Sequence, residues 1–316
     1  MSGEGSSSTF YPLDSTKYYA TGQYKQTISG QTVNAIALGG PSITNGPQAQ
    51  SGYGATVPAG KYTSGGGSQF VVINRTATAN NVVIDVSAST NGNSDGNDQV
   101  FIEAGDHSSK DPGNSNNGGA QSTTFVNFNN SKIDVGNGNN VVALGTDTSN
   151  NGDSATFGLT GTTRSITFAG FTAAGSKGKG QAPICMDNST VVGGSGNDTL
   201  VTTTTNNLSV TKNSLFNSGD GADVVFCASS TNGKSTLGLG NTIQLSAAGG
   251  SKGDGANDSL IVNGSFDSTK FPTGSKVTVT GFDYNKDRIY FSGKTYTTAS
   301  EIASLNATNN FNILGS

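Results

Sequence analysis

From residue 70 onward the chain alternates between short apolar runs and short polar breaks. Runs of 3–6 residues rich in Val, Ile, Phe and Thr occur at Phe70–Ile73, Val82–Val86, Val100–Ile102, Phe125–Phe128, Val141–Leu144 and Ile166–Phe168. They continue at Val224–Cys227, Thr242–Leu245, Leu260–Val262, Val277–Val279 and Arg288–Phe291. Gly, Asn, Asp or Ser bounds each one, which is the signature of β-strands between tight turns. Only Ala299–Leu305 shows a helical period. The pattern predicts an all-β protein. Before residue 80 the pattern changes. Thr27–Leu38 alternates as a strand would, whereas Pro41–Gly67 is rich in Pro, Gly and Ser and reads as a loop or arm. Six of the nine tyrosines (Tyr11, Tyr18, Tyr19, Tyr24, Tyr53 and Tyr62) fall in this N-terminal part. Two readings stay open for it: a cap on the first repeat, or an arm that docks on a neighbouring subunit.

Composition sharpens the picture. Of 316 residues 46 are Gly, 32% are hydrophobic and 12% are charged. Average domains hold about 45–50% apolar and about 25% charged residues. So little apolar material suits an elongated fold with a thin core column better than a thick globular core. The 17 basic residues include only Arg75, Arg164 and Arg288, and no basic stripe forms, which argues against a nucleic-acid partner. Of the 21 acidic residues only Glu4, Glu103 and Glu301 are Glu; the rest are Asp, a turn former and a hard oxygen ligand. No apolar window is long enough to cross a membrane. Residues 1–10 hold neither a basic nor an apolar stretch, so no cleaved leader is expected. Cys185 and Cys227 lie 42 residues apart in apolar runs; they read as two buried thiols or as one disulfide in an oxidising setting.

The polar breaks themselves repeat. Asn130–Asn140 (NSKIDVGNGNN), Asn188–Asp198 (NSTVVGGSGND) and Asn213–Asp223 (NSLFNSGDGAD) align without gaps. They share N-S-x-Φ-x-x-G-x-G-x-[N/D], with Φ apolar, and an apolar run follows each. Imperfect copies end at Asp98 (NSDGND, where Ser94 replaces a glycine) and at Asp258 (GDGAND, where the glycines are displaced). The closing positions 98, 140, 198, 223 and 258 are therefore 42, 58, 25 and 35 residues apart. A unit too small to bury its own apolar face must stack on its neighbours. The 25-residue interval suits one coil of a β-solenoid, and the longer ones suit coils with loops or pairs of coils. Glycines at alternate positions permit left-handed backbone that turns carbonyls inward. An Asp adds a carboxylate, and Ca²⁺ seeks about 6–8 oxygen ligands. Calcium sites would draw on Asp198, Asp223, Asp258 and Asp98, on Asp220 and Asp254, and on Gly194, Gly196, Gly219 and Gly221. The alternative is metal-free turns closed by Asn and Asp side-chain hydrogen bonds. Asn140 replaces Asp in its copy, so that turn is expected to close without metal.

Gly193–Val201 (GGSGNDTLV) and Ser218–Phe226 (SGDGADVVF) resemble the G-G-x-G-x-D-x-Φ-x nonapeptide of RTX calcium-binding proteins. The resemblance implies calcium bound at Asp198 and Asp223. RTX β-rolls repeat every nine residues, and here no copies are nine or eighteen apart. The expected fold is therefore a decorated, RTX-like parallel β-solenoid rather than a plain β-roll. Its expected divisions are an N-terminal arm or cap over 1–80, the solenoid over 81–275 and a C-terminal cap over 276–316. Val279–Gly293 (VTGFDYNKDRIYFSG) resembles the segment that closes RTX modules in type I-secreted proteins, through Phe282, Asp283, Asp287, Ile289, Phe291, Ser292 and Gly293. That resemblance implies an extracellular or cell-surface protein with an uncleaved C-terminal secretion signal. An ordinary terminal hairpin is the plainer reading of the same segment.

Three function classes remain. The first is a structural protein that polymerises with copies of itself into a surface layer or filament, with calcium stabilising the fold. The second is an adhesin or a carbohydrate- or ice-binding module, for which Thr202–Thr205 and other Thr-containing strands would form a flat face and a cell-surface polysaccharide the partner. The third is a polysaccharide-acting enzyme, with Asp85 and Glu103 or Asp283 and Asp287 as carboxylate pairs. His107 stands alone in a polar loop, and no G-x-S-x-G, HExxH or Cys–His motif appears. The structural class is the leading expectation, with no catalytic residues assigned.

Overall fold

The computed structural model describes residues 10–12, 25–28, 31–34, 36–38, 55–57, 59–63, 67–73, 76–87, 96–103, 126–147, 155–159, 162–168, 172–173, 184–204, 211–229, 240–247, 252–262, 274–308 and 310–316. These residues form strands arranged mostly in parallel sheets, with one short helix. The chain is all-β in class, as the alternation of apolar runs and turns predicts.

Three sheets carry the architecture. The first has nine strands and runs from Phe10–Pro12 through Gly60–Thr63, Val82–Asp85, Lys132–Asp134, Thr190–Val192, Leu215–Asn217, Thr242–Gln244 and Val277–Phe282 to Phe311–Gly315. Every neighbour pair in it is parallel. The second has ten strands, from Ile36–Leu38 to Lys294–Tyr296, and is parallel along its path except for the last strand. The third is shorter, with Ala55–Thr56, Thr76–Thr78, Val126–Asn129, Ile184–Asp187 and Thr211–Lys212 in parallel. Five times the chain visits the third, first and second sheets in that order, and among the described residues the last two repeats visit only the first and second. Ile184–Asp187 lies in the third, Thr190–Val192 in the first and Thr199–Thr204 in the second.

The short strands of the first sheet arise inside the repeat itself. In Lys132–Asp134, Thr190–Val192 and Leu215–Asn217 only the central residue is buried. That residue is the Φ of the repeat, and strand geometry sends its neighbours to the other face. In register these residues form an apolar column: Tyr62, Ile84, Ile133, Val191, Phe216, Ile243, Val279 and Ile313. A second column faces it from the second sheet, with Val71, Val100, Val142, Leu200, Val225, Leu260 and Ile289. Phe128 and Met186 of the third sheet join the same buried cluster. The low apolar content is thus concentrated in one column, where each repeat contributes a few side chains. Phe226 and Ile261 are also buried but lie outside this cluster. They sit on the opposite face of their strands, so the strand Ser259–Val262 is buried on both faces.

Thr27–Leu38 is not one strand. Its described residues form an antiparallel hairpin, Lys25–Ile28 with Gln31–Asn34, followed by Ile36–Leu38 of the second sheet. The sequence between the two arms is Ser-Gly, residue types that favour chain reversal over a continuous strand. Phe10–Pro12 and Ile36–Leu38, both from the N-terminal eighty residues, extend the first and second sheets of this same chain. The strands holding Cys185 and Cys227 belong to different sheets, and the two side chains lie outside the described residues. His107 and residues 206–210 also lie outside them. No helix among the described residues is long and apolar enough to cross a membrane.

The column makes a direct prediction about stability. Phe216→Ala removes a fully buried ring and should lower the unfolding free energy by about 3–5 kcal/mol. Thr242→Ala, on the half-buried outer face of the same sheet, should cost less than about 1 kcal/mol. Urea denaturation of the two variants checks the contrast.

Candidate functional site

Each first-sheet strand is bounded by two corners, and the repeat writes a different chemistry at each. At the entry corner stands N-S. Asn130, Asn188 and Asn213 adopt left-handed backbone, with φ of 50°, 51° and 50°. Asn tolerates this region better than most residues do. The following serines are buried and bond from repeat to repeat. Val82 N–H donates to Ser131 Oγ (3.0 Å), Ser131 N–H to Ser189 Oγ (3.1 Å) and Ser189 N–H to Ser214 Oγ (3.2 Å). Asn241 continues the series by accepting from Ser214 N–H through Oδ1 (2.9 Å).

The exit corner holds the closing Asp or Asn of the repeat. Its side chain reaches back to the backbone amide of the equivalent residue one repeat earlier. Gln69 N–H donates to Asp98 Oδ1 (2.7 Å), and Asp98 N–H to Asn140 Oδ1 (2.8 Å). Asn140 N–H donates to Asp198 Oδ1 and Asp198 N–H to Asp223 Oδ1, both at 2.8 Å. Asp223 N–H donates to Asp258 Oδ1 (2.8 Å), and Asp258 N–H to Asp287 Oδ1 (2.9 Å). Asp287 Oδ2 accepts from Asp283 N–H (2.7 Å). The result is one buried ladder of six side chains. Its rungs are the residues that repeat alignment picks out, with the same separations of 42, 58, 25 and 35. Asp287 is a sixth rung that the alignment misses, because no N-S or double-glycine copy precedes it.

The second carboxylate oxygen of each rung defines the chemistry. Oδ2 of Asp258 is buried and accepts no hydrogen bond, and the equally buried carboxylates of Asp198 and Asp223 have the Asn140 side chain and the Ser218 hydroxyl nearby. Asn140 shows what surrounds this position. Its Nδ2 donates to the carbonyls of Gly136 (3.0 Å) and Gly138 (3.3 Å). By the repeat, the matching carbonyls of the Asp198 turn belong to Gly194 and Gly196. An amide nitrogen satisfies such carbonyls, as expected of an Asn turn that needs no metal. A bare carboxylate oxygen does not, because both partners are acceptors.

Burial accordingly raises the carboxyl pKa values. Desolvation pushes Asp198 and Asp223 up to about 7, Asp258 to about 9 and Asp287 to about 6. Around Asp258 the carboxylates of Asp287, Asp223 and Asp254 add to the rise. The backbone amides of Asn140, Asp198 and Asp223 pull in the other direction at Asp198, Asp223 and Asp258.

The glycines are required by the stacking. Gly194, Gly196, Gly219 and Gly221 have φ between 98° and 134°. A Cβ at Gly219 would overlap the Gly194 carbonyl oxygen, and one at Gly221 would overlap that of Gly196. Asp220 and Asp254 are exposed on the outer rim and do not join the ladder. Asp220 Oδ1 accepts from Ala247 N–H (2.9 Å). Asp254 accepts from Gly221 N–H through Oδ2 (2.6 Å) and from Ala256 N–H through Oδ1 (2.8 Å). Beside them Lys286 Nζ donates to the Gly255 carbonyl (2.7 Å). An asparagine series, with Asn139 N–H to Asn97 Oδ1 and Asn197 N–H to Asn139 Oδ1 (both 2.8 Å), tracks the same rim.

Asp85 belongs to the first sheet and pairs with Lys61 at 2.8 Å, whereas Glu103 lies in the second sheet. Asp283 and Asp287 are bonded to each other's turn and complete the ladder. Comparison with protein-family models, curated proteins and solved structures finds no match to this chain.

The donor set fits a hard cation by its chemistry. It is all oxygen, it combines buried carboxylates with turn carbonyls, and it offers no sulfur or imidazole. Among the described residues no three Asp, Glu, His or Cys side chains converge on one point. A cation here would therefore draw most of its ligands from carbonyls and water, with carboxylates from adjacent rungs.

Two expected outcomes follow from the ladder. Because folding raises these pKa values, the native state holds protons that the unfolded chain has released. In chelator, stability should therefore fall as pH rises from about 4 to about 9. Asp258→Asn should flatten the upper part of that profile, as read by urea midpoints at a series of pH values. Gly219→Ala should destabilise the fold by more than the roughly 1 kcal/mol of a left-handed backbone penalty, since it also meets a backbone carbonyl.

Proposed function

We propose that this chain is a secreted, calcium-binding structural protein. On this reading it is a parallel β-solenoid that assembles with copies of itself into an extracellular layer or filament. The buried carboxylate row at Asp198, Asp223 and Asp258 carries the reading: Oδ2 of Asp258 lacks any donor, and at the Asn140 rung the equivalent atom faces two turn carbonyls. Calcium supplies positive charge to that row, and it is abundant outside cells, where modules bind it with dissociation constants of about 10⁻⁴–10⁻³ M. The side chains of the ladder would hold the ion, and the flanking glycines would keep the backbone close enough for the layers to meet. The solenoid reading draws on the fixed order in which the chain visits three sheets and on the parallel register throughout the first. Secretion rests on the C-terminal resemblance alone.

The assembly part has its own support. The sheets are long, narrow and repetitive, and a structural role asks for shape rather than for a reactive cluster. Phe10–Pro12 and Ile36–Leu38 are bonded into this chain's own sheets, which favours the cap over a free docking arm for those segments.

Thermal unfolding with calcium and with EGTA tests the metal. Calcium at about 100 times its dissociation constant adds about 2.7 kcal/mol per site to stability. Wild-type protein should melt at higher temperature in calcium, and Asp198→Asn with Asp258→Asn should remove most of that gain. An unchanged melting temperature at neutral pH overturns the calcium reading and leaves protonated or asparagine-like rungs in its place. Electron microscopy in the same two buffers tests assembly. Ordered sheets or filaments support it, and dispersed particles in both buffers favour the adhesin.

A further inference from the structure

A parallel stack has two open ends, and the C-terminal one is built over. In the second sheet Lys294–Tyr296 folds back antiparallel on Arg288–Phe291, with Ile289 opposite Tyr296 and Phe291 opposite Lys294. In the first sheet the final strand, Phe311–Gly315, turns its even-numbered backbone groups toward Val277–Phe282. Val277 N–H donates to Asn310 O, and Ser316 N–H to Phe282 O. Its odd-numbered groups point to the outer edge. There the Asn306 side chain stands where a further strand would lie. Ile313 N–H donates to Asn306 Oδ1 (2.8 Å), and Asn306 Nδ2 donates to Ile313 O (3.2 Å). A carboxamide carries the same donor and acceptor as a peptide group, so it fills one ladder position completely.

Asn306 is held in place from several directions. It ends the helix Ala299–Asn306, whose N-terminus is fixed by a capping box between Thr298 and Glu301. The amides of Thr297 and Thr298 hold the Glu301 carboxyl down to about 2. Ile302 and Leu305 bury the inner face of the helix in the main core. Thr308 Oγ1 ties the end by donating to Leu305 O (2.7 Å). Phe291 and Phe311 meet edge to face at 5.1 Å in the same core.

We propose that the C-terminal unit closes the first sheet to a second copy of this chain, with Asn306 occupying the edge at which its next strand would pair. Native proteins cover sheet edges in this way to prevent edge-to-edge association. Copies that assemble do so sideways or through their N-terminal ends. The inference stands whether or not the ladder binds metal.

Hydrogen exchange of the intact protein is the first test. The Ile313 amide should be protected to the level of the neighbouring strand Val277–Phe282, and exchange at the rate of an open edge overturns the proposal. Sedimentation velocity of Asn306→Ala is the second. Under conditions that keep wild-type protein dispersed, the variant should form concentration-dependent dimers or larger species. Leu314 is 42% exposed on the same strand, and Leu314→Lys should reverse that association. A folded Asn306→Ala that sediments as wild type overturns the proposal. So does loss of wild-type assembly on Leu314→Lys, which would make this the growing end.

Discussion

The structure depends on satisfying a buried backbone amide once per repeat. Where the chain leaves the first sheet, the N–H of residues 98, 140, 198, 223 and 258 points along the stack, away from the strand ladders. Each finds its acceptor in the next repeat's Asp or Asn. An unpaired buried amide costs about 1–3 kcal/mol, so this contact sets which residue sits above which. The register of all three sheets then follows, because side chains and backbones in a parallel stack move together. Loops between repeats can vary in length without disturbing it, and the separations range from 25 to 58 residues.

The same contact creates the chemical tension of the molecule. One carboxylate oxygen is consumed by the ladder, and the other is left buried away from water. Asn140 resolves the tension by donating two hydrogen bonds. The Asp rungs can resolve it only with a proton or a cation. Burial raises Asp258 first of all, and the like charges of Asp287, Asp223 and Asp254 add to the rise. Structure and proposed function therefore meet at one atom type. The oxygen that does not hold the fold together is the one available to an ion.

The ends of the stack obey a different constraint. Interior strands are paired on both sides, but end strands must be protected or shared. At the C-terminal end the chain uses a fold-back strand, a capped helix and the Asn306 carboxamide. On the proposed reading this gives the first sheet a direction, with one end closed by its own side chains.

The sequence by itself determined the β class, most strands of the second sheet and the identity of five ladder residues. Each strand carries its own apolar run, and each turn needs Gly, Asn or Asp for local backbone reasons. The repeat aligned these five residues, but that each one's amide bonds the next one's side chain emerged only from the stacking of the turns. Much else was decided only by tertiary structure. Ser131, Ser189 and Ser214 look like ordinary turn residues until three layers are superimposed and their hydroxyls become acceptors. Asp287 lacks the flanking motif and joins the ladder because its turn lies next in space. Asp220 and Asp254 resemble ligands in sequence, yet the outward bend of the turn leaves them on the rim. Asn306 carries no local signal at all, for its role exists only where a helix end meets the last edge of a sheet.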